Sequence, residues 1–136
     1  MNSCREEALV LCQDIYIPQS TNLSYVDENG QNLLFGPQKK FVVENMAIYK
    51  MVNDTIQPIN FTINKESAYI TVHLEQSSQG TFFIELQAGT VQEINFKANI
   101  DESKLPCENY RVNELQHNGN QGHFNTQGHV WELTYE

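Results

Sequence analysis

Residues 68–98 read AYITVHLEQSSQGTFFIELQAGTVQEINFKA, and this stretch decides the fold. Ala68, Ile70, Val72 and Leu74 occupy every second position, opposite Tyr69, Thr71 and His73. Such alternation marks a strand that buries one face, because successive side chains leave opposite sides of the pleat. Ser77-Ser78-Gln79-Gly80 then breaks the run as a turn. Phe82, Ile84 and Leu86 repeat the pattern, Ala88-Gly89 turns the chain again, and Ile94, Phe96 and Ala98 alternate with Glu93, Asn95 and Lys97. Short strands at this spacing, separated by turn clusters, predict an antiparallel β architecture.

The same reading extends in both directions. Leu23 and Tyr25 alternate with Asn22 and Ser24 and lead into Asp27-Glu28-Asn29-Gly30, where Asn-Gly offers the positive φ of a tight hairpin. That turn predicts a returning strand over Gln31–Phe35, closed by Gly36-Pro37. A strand over Met46–Val52 ends at Asn53-Asp54, and Ile59, Phe61 and Ile63 alternate with Asn60 and Thr62. Tyr110–Gln116 and Val130–Tyr135 complete the set. Eight or nine short strands result, and residues 21–136 read as one all-β domain, an antiparallel β-sandwich of immunoglobulin-like or prealbumin-like type. Residues 1–20 lack alternation and read as a tether or lead-in, with Glu6–Leu11 the only helical candidate.

Composition narrows the function. A chain of 136 residues has room for one domain and buries roughly two thirds of its unfolded surface. Asp and Glu number 17 against 8 Lys and Arg, a formal charge of -9, which repels a polyanion and excludes nucleic acid as a partner. No apolar run reaches the roughly 18 residues that cross a bilayer as a helix. Gly-x-Ser-x-Gly, a phosphate-binding glycine loop and His-Glu-x-x-His are all missing, so an enzyme is not expected, and no cofactor is. Asp27, Asn29 and Gly30 lack the oxygen ligands and distal glutamate of an EF-hand loop and read as a hairpin turn.

The three cysteines bear on compartment. Cys12 precedes the first strand and Cys107 a late one. A disulfide between them would close a loop of nearly the whole domain, worth roughly 4–5 kcal/mol in the chain-entropy model. Such a bridge requires an oxidising compartment and leaves Cys4 unpaired. Three cytoplasmic thiols are the alternative, and Met1 as the true start would favour them.

Ser3-Cys4, a small residue before a cysteine with a polar acidic stretch behind it, resembles the maturation site of a bacterial lipoprotein. Cys4-Arg5-Glu6-Glu7 is similar to the export signal of Bacteroidetes surface lipoproteins. The wider layout resembles small uncharacterised lipoproteins of that phylum: a cysteine before the first strand, a hairpin leading into an Asn-Leu-Leu stretch (Asp27 to Leu34), and a late cysteine shortly before a strand ending in Asn-Gly (Cys107 to Gly119). The resemblance implies a signal peptide upstream, a lipid anchor at Cys4, a cell-envelope location on the outer membrane surface or in the periplasm, and a β-sandwich. It implies no activity. Asp54-Thr55-Ile56 resembles the O-glycosylation acceptor of those bacteria, and Asn22, Asn53 and Asn60 head formal N-glycosylation sequons that read as polar strand and turn residues.

The partner implied is another envelope protein or a glycan, with membrane contact only through the anchor at Cys4. Loops at one end of the sandwich are the expected place for it, and His117–His129 is the segment of choice. His117-Asn-Gly-Asn-Gln-Gly and His123-Phe-Asn-Thr-Gln-Gly form a near-repeat followed by His129. The alternative function is therefore a small metal-binding protein holding Zn²⁺ or Cu²⁺ on His117, His123 and His129. Six extended residues span roughly 20 Å while a ligand lies about 2 Å from its metal, so convergence demands sharp turns at Gly122 and Gly128. Trp131 shares a face with Leu133 and Tyr135 and is expected to be buried. Phe124 is the better candidate for an exposed aromatic, and His73 falls on the polar face of its strand.

Overall fold

The computed structural model describes residues 19–100 and 110–135. The expectations for Cys4, Cys12, Cys107 and Glu6–Leu11 lie outside these residues.

The described chain is an all-β sandwich of eleven strands rather than eight or nine. They are β1 (Gln19–Val26), β2 (Ala47–Val52), β3 (Thr55–Pro58), β4 (Phe61–Asn64), β5 (Tyr69–Leu74), β6 (Gln79–Gln87), β7 (Thr90–Ile100), β8 (Tyr110–His117), β9 (Asn120–Gln121), β10 (His123–Asn125) and β11 (Val130–Thr134). One sheet has the order β10-β11-β1-β5-β4 and the other β3-β2-β6-β7-β8-β9. The three extra strands are short edge pieces: β3, β9 and β10. All four residues of β3 are exposed, so it carries no buried face for alternation to reveal.

Pairing is antiparallel throughout with one exception. β1 runs parallel to β11, setting Leu23 beside Trp131 and Tyr25 beside Leu133. The first and last described strands thus meet at the centre of the five-stranded sheet, with β5 on the other side of β1.

The two sheets bury the alternating residues between them. Leu23, Ile70, Val72 and Leu133 line one inner face, and Phe82, Ile84, Leu86, Ile94 and Leu115 the other. Transfer of this apolar surface from water drives the two layers together. Tight turns connect neighbours where the backbone needs positive φ. Asn53 and Asp54, at φ 50° and 63°, join β2 to β3, and Ala68, at φ 62°, lies in the turn before β5 rather than on its apolar face.

Two expectations near β1 require correction. Asp27–Gly30 does turn the chain: Gly30 sits at φ 80° and donates its N–H to the Asp27 carbonyl at 3.0 Å. Gln31–Phe35, however, forms no strand beyond a single bridge between Val26 and Asn32. The Asn32 side chain explains this, because its Oδ1 accepts the N–H groups of Leu34 at 2.8 Å and Phe35 at 3.0 Å. An asparagine that satisfies the backbone locally competes with the sheet ladder. The segment instead drives Leu33, Leu34, Phe41 and Val43 into the core, and Phe41 meets Tyr135 edge-on at 5.2 Å. β1 also starts at Gln19, inside the stretch expected as a lead-in.

Candidate functional site

The histidine segment folds as two hairpins belonging to opposite sheets. Asn118 and Gly119, at φ 47° and 82°, turn β8 into β9, which pairs only at Gln116–Gln121 and His117–Asn120. Asn118 fixes this turn by accepting the Glu93 N–H on its Oδ1 at 2.8 Å. At Gly122 the chain leaves the six-stranded sheet, after the Gly122 N–H donates to the Leu115 carbonyl at 2.7 Å. β10 then joins the five-stranded sheet, and Asn125 Oδ1 accepts the N–H groups of Gln127 and Gly128 to close the second turn.

This route scatters the three imidazoles. His117 points inward, is only 3% exposed, and meets the Tyr25 ring edge-on at 6.2 Å. Burial lowers its pKa by penalising the charged form. His123 is exposed on the five-stranded sheet in register with Glu132, and His129 sits in the β10–β11 turn at φ 53°. The expected three-histidine metal site is therefore not formed, and among the described residues no group of three His, Cys, Asp or Glu is placed to hold a metal ion. The turns that would gather the side chains exist, but the crossover at Gly122 sends them to different layers.

His73 lies on the polar face, as its register predicts. It is half-buried there between two strands, with Nδ1 3.3 Å from Ser20 Oγ and Nε2 2.7 Å from Thr62 Oγ1. Asn64, Thr71 and Asn22 form a second, separate set of side-chain hydrogen bonds, and Asn22 Nδ2 donates to the His129 carbonyl at 3.0 Å. These bonds tie β1, β4 and β5 together.

A cleft of about 390 Å³ opens where the edges of the two sheets diverge. Phe124 and Trp131 form its wall on the five-stranded sheet, and Asn99, Ile100, Arg111, Val112 and Asn113 line it from the six-stranded sheet. The volume lies within the range typical of ligand sites, and the mix of apolar wall and few polar groups is the usual one. Trp131 is buried, as its alternation predicts. Phe124 is half-buried, packed against Trp131 at 5.1 Å, because its pairing with Trp131 gives both the same face on an edge strand.

Two features make this cleft more than a gap. β9 covers only the C-terminal end of β8, so the N-terminal half of β8 has no second neighbouring strand among the described residues. Arg111 is exposed there without an ion-pair partner among the described residues, whose ion pairs are Lys50–Glu75, Lys65–Glu44 and Lys97–Glu114. Sequence reasoning singled out Phe124 and Trp131 but missed Asn99, Ile100, Arg111, Val112 and Asn113. Nothing in their spacing signals a site, because the cleft forms only when β7, β8, β10 and β11 assemble.

Other surfaces are less suited to a ligand. A larger hollow of about 450 Å³ on the outer face of the six-stranded sheet is lined mainly by polar side chains and crossed by the Lys97–Glu114 pair at 3.9 Å. Beside it Tyr49 and Phe83 stack at 5.5 Å with planes 21° apart, so each ring spends one face on the other. Thr55 and Ile56, which resemble the glycosylation acceptor, are exposed on β3.

The two ends that border residues 1–18 and 101–109 converge on adjacent residues. Gln19 Oε1 accepts the Ser77 N–H at 2.6 Å, and Gln76 Oε1 accepts the Tyr110 N–H at 2.6 Å. The loop between β5 and β6 thus fastens both.

The chain matches no family model, and no curated protein or solved structure shows significant similarity to it.

Proposed function

We propose that this chain is an exported cell-envelope protein, lipid-anchored through Cys4 and acting as a binding module for another envelope protein. The observation that carries the reading is the convergence of Gln19 and Tyr110 on Gln76 and Ser77. Cys12 lies seven positions before Gln19, and Cys107 three before Tyr110. At about 3.3–3.6 Å per extended residue, both sulfurs can reach one point near that loop. A Cys12–Cys107 disulfide is then compatible with the fold, and it belongs to an oxidising compartment. Cys4 remains as the unpaired thiol, in the position that resembles a lipidation site.

A binding role draws support from the rigid sandwich and the aromatic-walled cleft at its edge, which presents Arg111 to solvent. A glycan is the less favoured ligand, since Tyr49 and Phe83 stack on each other rather than forming a flat platform. The test is mass spectrometry of the N-terminal peptide after expression of the gene with its upstream sequence in a Gram-negative host. The reading expects a diacylglycerol thioether on Cys4 and recovery in the membrane fraction. An unmodified Cys4 in the soluble cytoplasmic fraction would overturn it.

A further inference from the structure

We infer that the Phe124–Trp131 cleft captures the C-terminus of a partner protein ending in a large apolar residue. This deepens the binding-module reading and rests on it. Three independent features of the cleft correspond to the three parts of such a ligand.

The apolar side chain is matched by Phe124, Trp131, Ile100 and Val112, which form walls on both sides of the opening. Ile100 is 41% exposed, an apolar surface left facing solvent at the mouth. The terminal carboxylate is matched by Arg111. A guanidinium offers a carboxylate two parallel N–H donors, and this one has no ion-pair partner among the described residues. Asn99, the cross-strand neighbour of Arg111, and Asn113 add carboxamide donors beside it. In a chain of net charge -9, a single cation that has no ion-pair partner among the described residues and borders an apolar slot selects a ligand with one negative charge over a polyanion.

The peptide backbone is matched by the edge of β8 before Asn113, which no strand among the described residues covers. An extended segment can add to such an edge through main-chain hydrogen bonds while alternate side chains enter adjoining pockets. The bulge between Lys97/Ala98 and Glu114/Val112 places Asn113 outside the ladder and bends the strand there. Pairing is therefore confined to the stretch before Asn113, which suits two or three terminal residues rather than a long strand.

Trp131 is the only tryptophan of the chain, so its fluorescence reports the cleft directly. The experiment titrates the purified protein with acetyl-Ala-Ala-Val-Phe as the free acid and as the C-terminal amide, with decanoate as a third probe. The free acid is expected to give a saturable change in Trp131 emission. The amide should bind roughly tenfold more weakly, and Arg111→Gln should weaken the acid by a similar factor while erasing the difference between acid and amide. Arg111 is exposed, so its replacement should leave the thermal midpoint unchanged and the loss attributable to binding.

Equal binding of acid and amide would overturn the inference, as would an Arg111→Gln variant with undiminished affinity or the lack of any saturable signal. Decanoate binding as tightly as the peptide would also overturn it, assigning the cleft to simple amphipathic acids. The lipid state of Cys4 is measured separately, so failure here and failure of the envelope assignment are distinguishable.

Discussion

His117 meets Tyr25 edge-on inside the core, with ring centroids 6.2 Å apart and planes at 89°. A histidine at the end of a strand thus functions as a core residue and pairs across the sandwich with a tyrosine of β1. Its lowered pKa follows from burial, which opposes the charge it would gain on protonation.

The sign of the pH effect follows from linkage. In the unfolded chain His117 takes up a proton near its ordinary pKa of about 6.5, whereas in the folded chain it does so only at lower pH. Between those two values the unfolded state binds more protons, so stability falls as pH drops through that window. Thermal denaturation at pH 7.5 and pH 5.0 should show a larger loss of midpoint for the native protein than for His117→Leu. Equal losses would show that His117 is not the titrating group.

Tyr25 presents a second consequence. Its hydroxyl is fully buried and has no hydrogen-bond partner among the described residues, and burial raises its pKa. Removing an unpaired buried hydroxyl costs little and relieves its desolvation, which is worth about 1–3 kcal/mol. Tyr25→Phe should therefore be as stable as the native protein or more so in urea unfolding. A loss above about 1 kcal/mol would mean that the hydroxyl is bonded in solution.

Gly122 is fixed by close approach at the crossover between sheets. A Cβ there would lie 2.9 Å from the Leu115 carbonyl oxygen and 2.9 Å from Leu133 Cδ2. The first contact is backbone, so it cannot be relieved by rotating a side chain. Gly122→Ala should destabilise by about 1–3 kcal/mol, the usual penalty for overpacking, as read from the urea midpoint. Gly119→Ala makes a useful comparison, since Gly119 has open space around it and its cost comes from φ 82° alone.

Zinc addresses the histidines. Because His117 is buried and His123 and His129 stand apart, neither Zn²⁺ nor Cu²⁺ should raise the thermal midpoint. A ligand that prefers the native state must raise it, so an upward shift at micromolar metal would contradict the geometry.

The sequence made some of this arrangement legible and concealed the rest for identifiable reasons. Phe82, Ile84, Leu86, Ile94 and Phe96 showed their strands because each faces the core on one side only. His117 was concealed by the bulge at Asn113. Strict alternation from Val112 would turn Glu114 and Gln116 inward, but the extra residue shifts the phase so that Leu115 and His117 point into the core instead. β3 was concealed because Thr55–Pro58 buries nothing. The β1–β11 pairing joins opposite ends of the described chain and leaves no local signature. Arg111 stands out only once its neighbours are known, since lacking an ion-pair partner among the described residues is a property of space rather than of spacing.

The most direct measurement counts free thiols in protein expressed in a Gram-negative host from the gene with its upstream sequence and recovered without reductant. Alkylation under denaturing conditions followed by intact mass determination reads the count. The account predicts that Cys12 and Cys107 resist alkylation until a reductant is added and that a peptide pair joined through them appears in the digest. Alkylation of both thiols without reductant would contradict it, and with it the proposal that this sandwich belongs to the cell envelope.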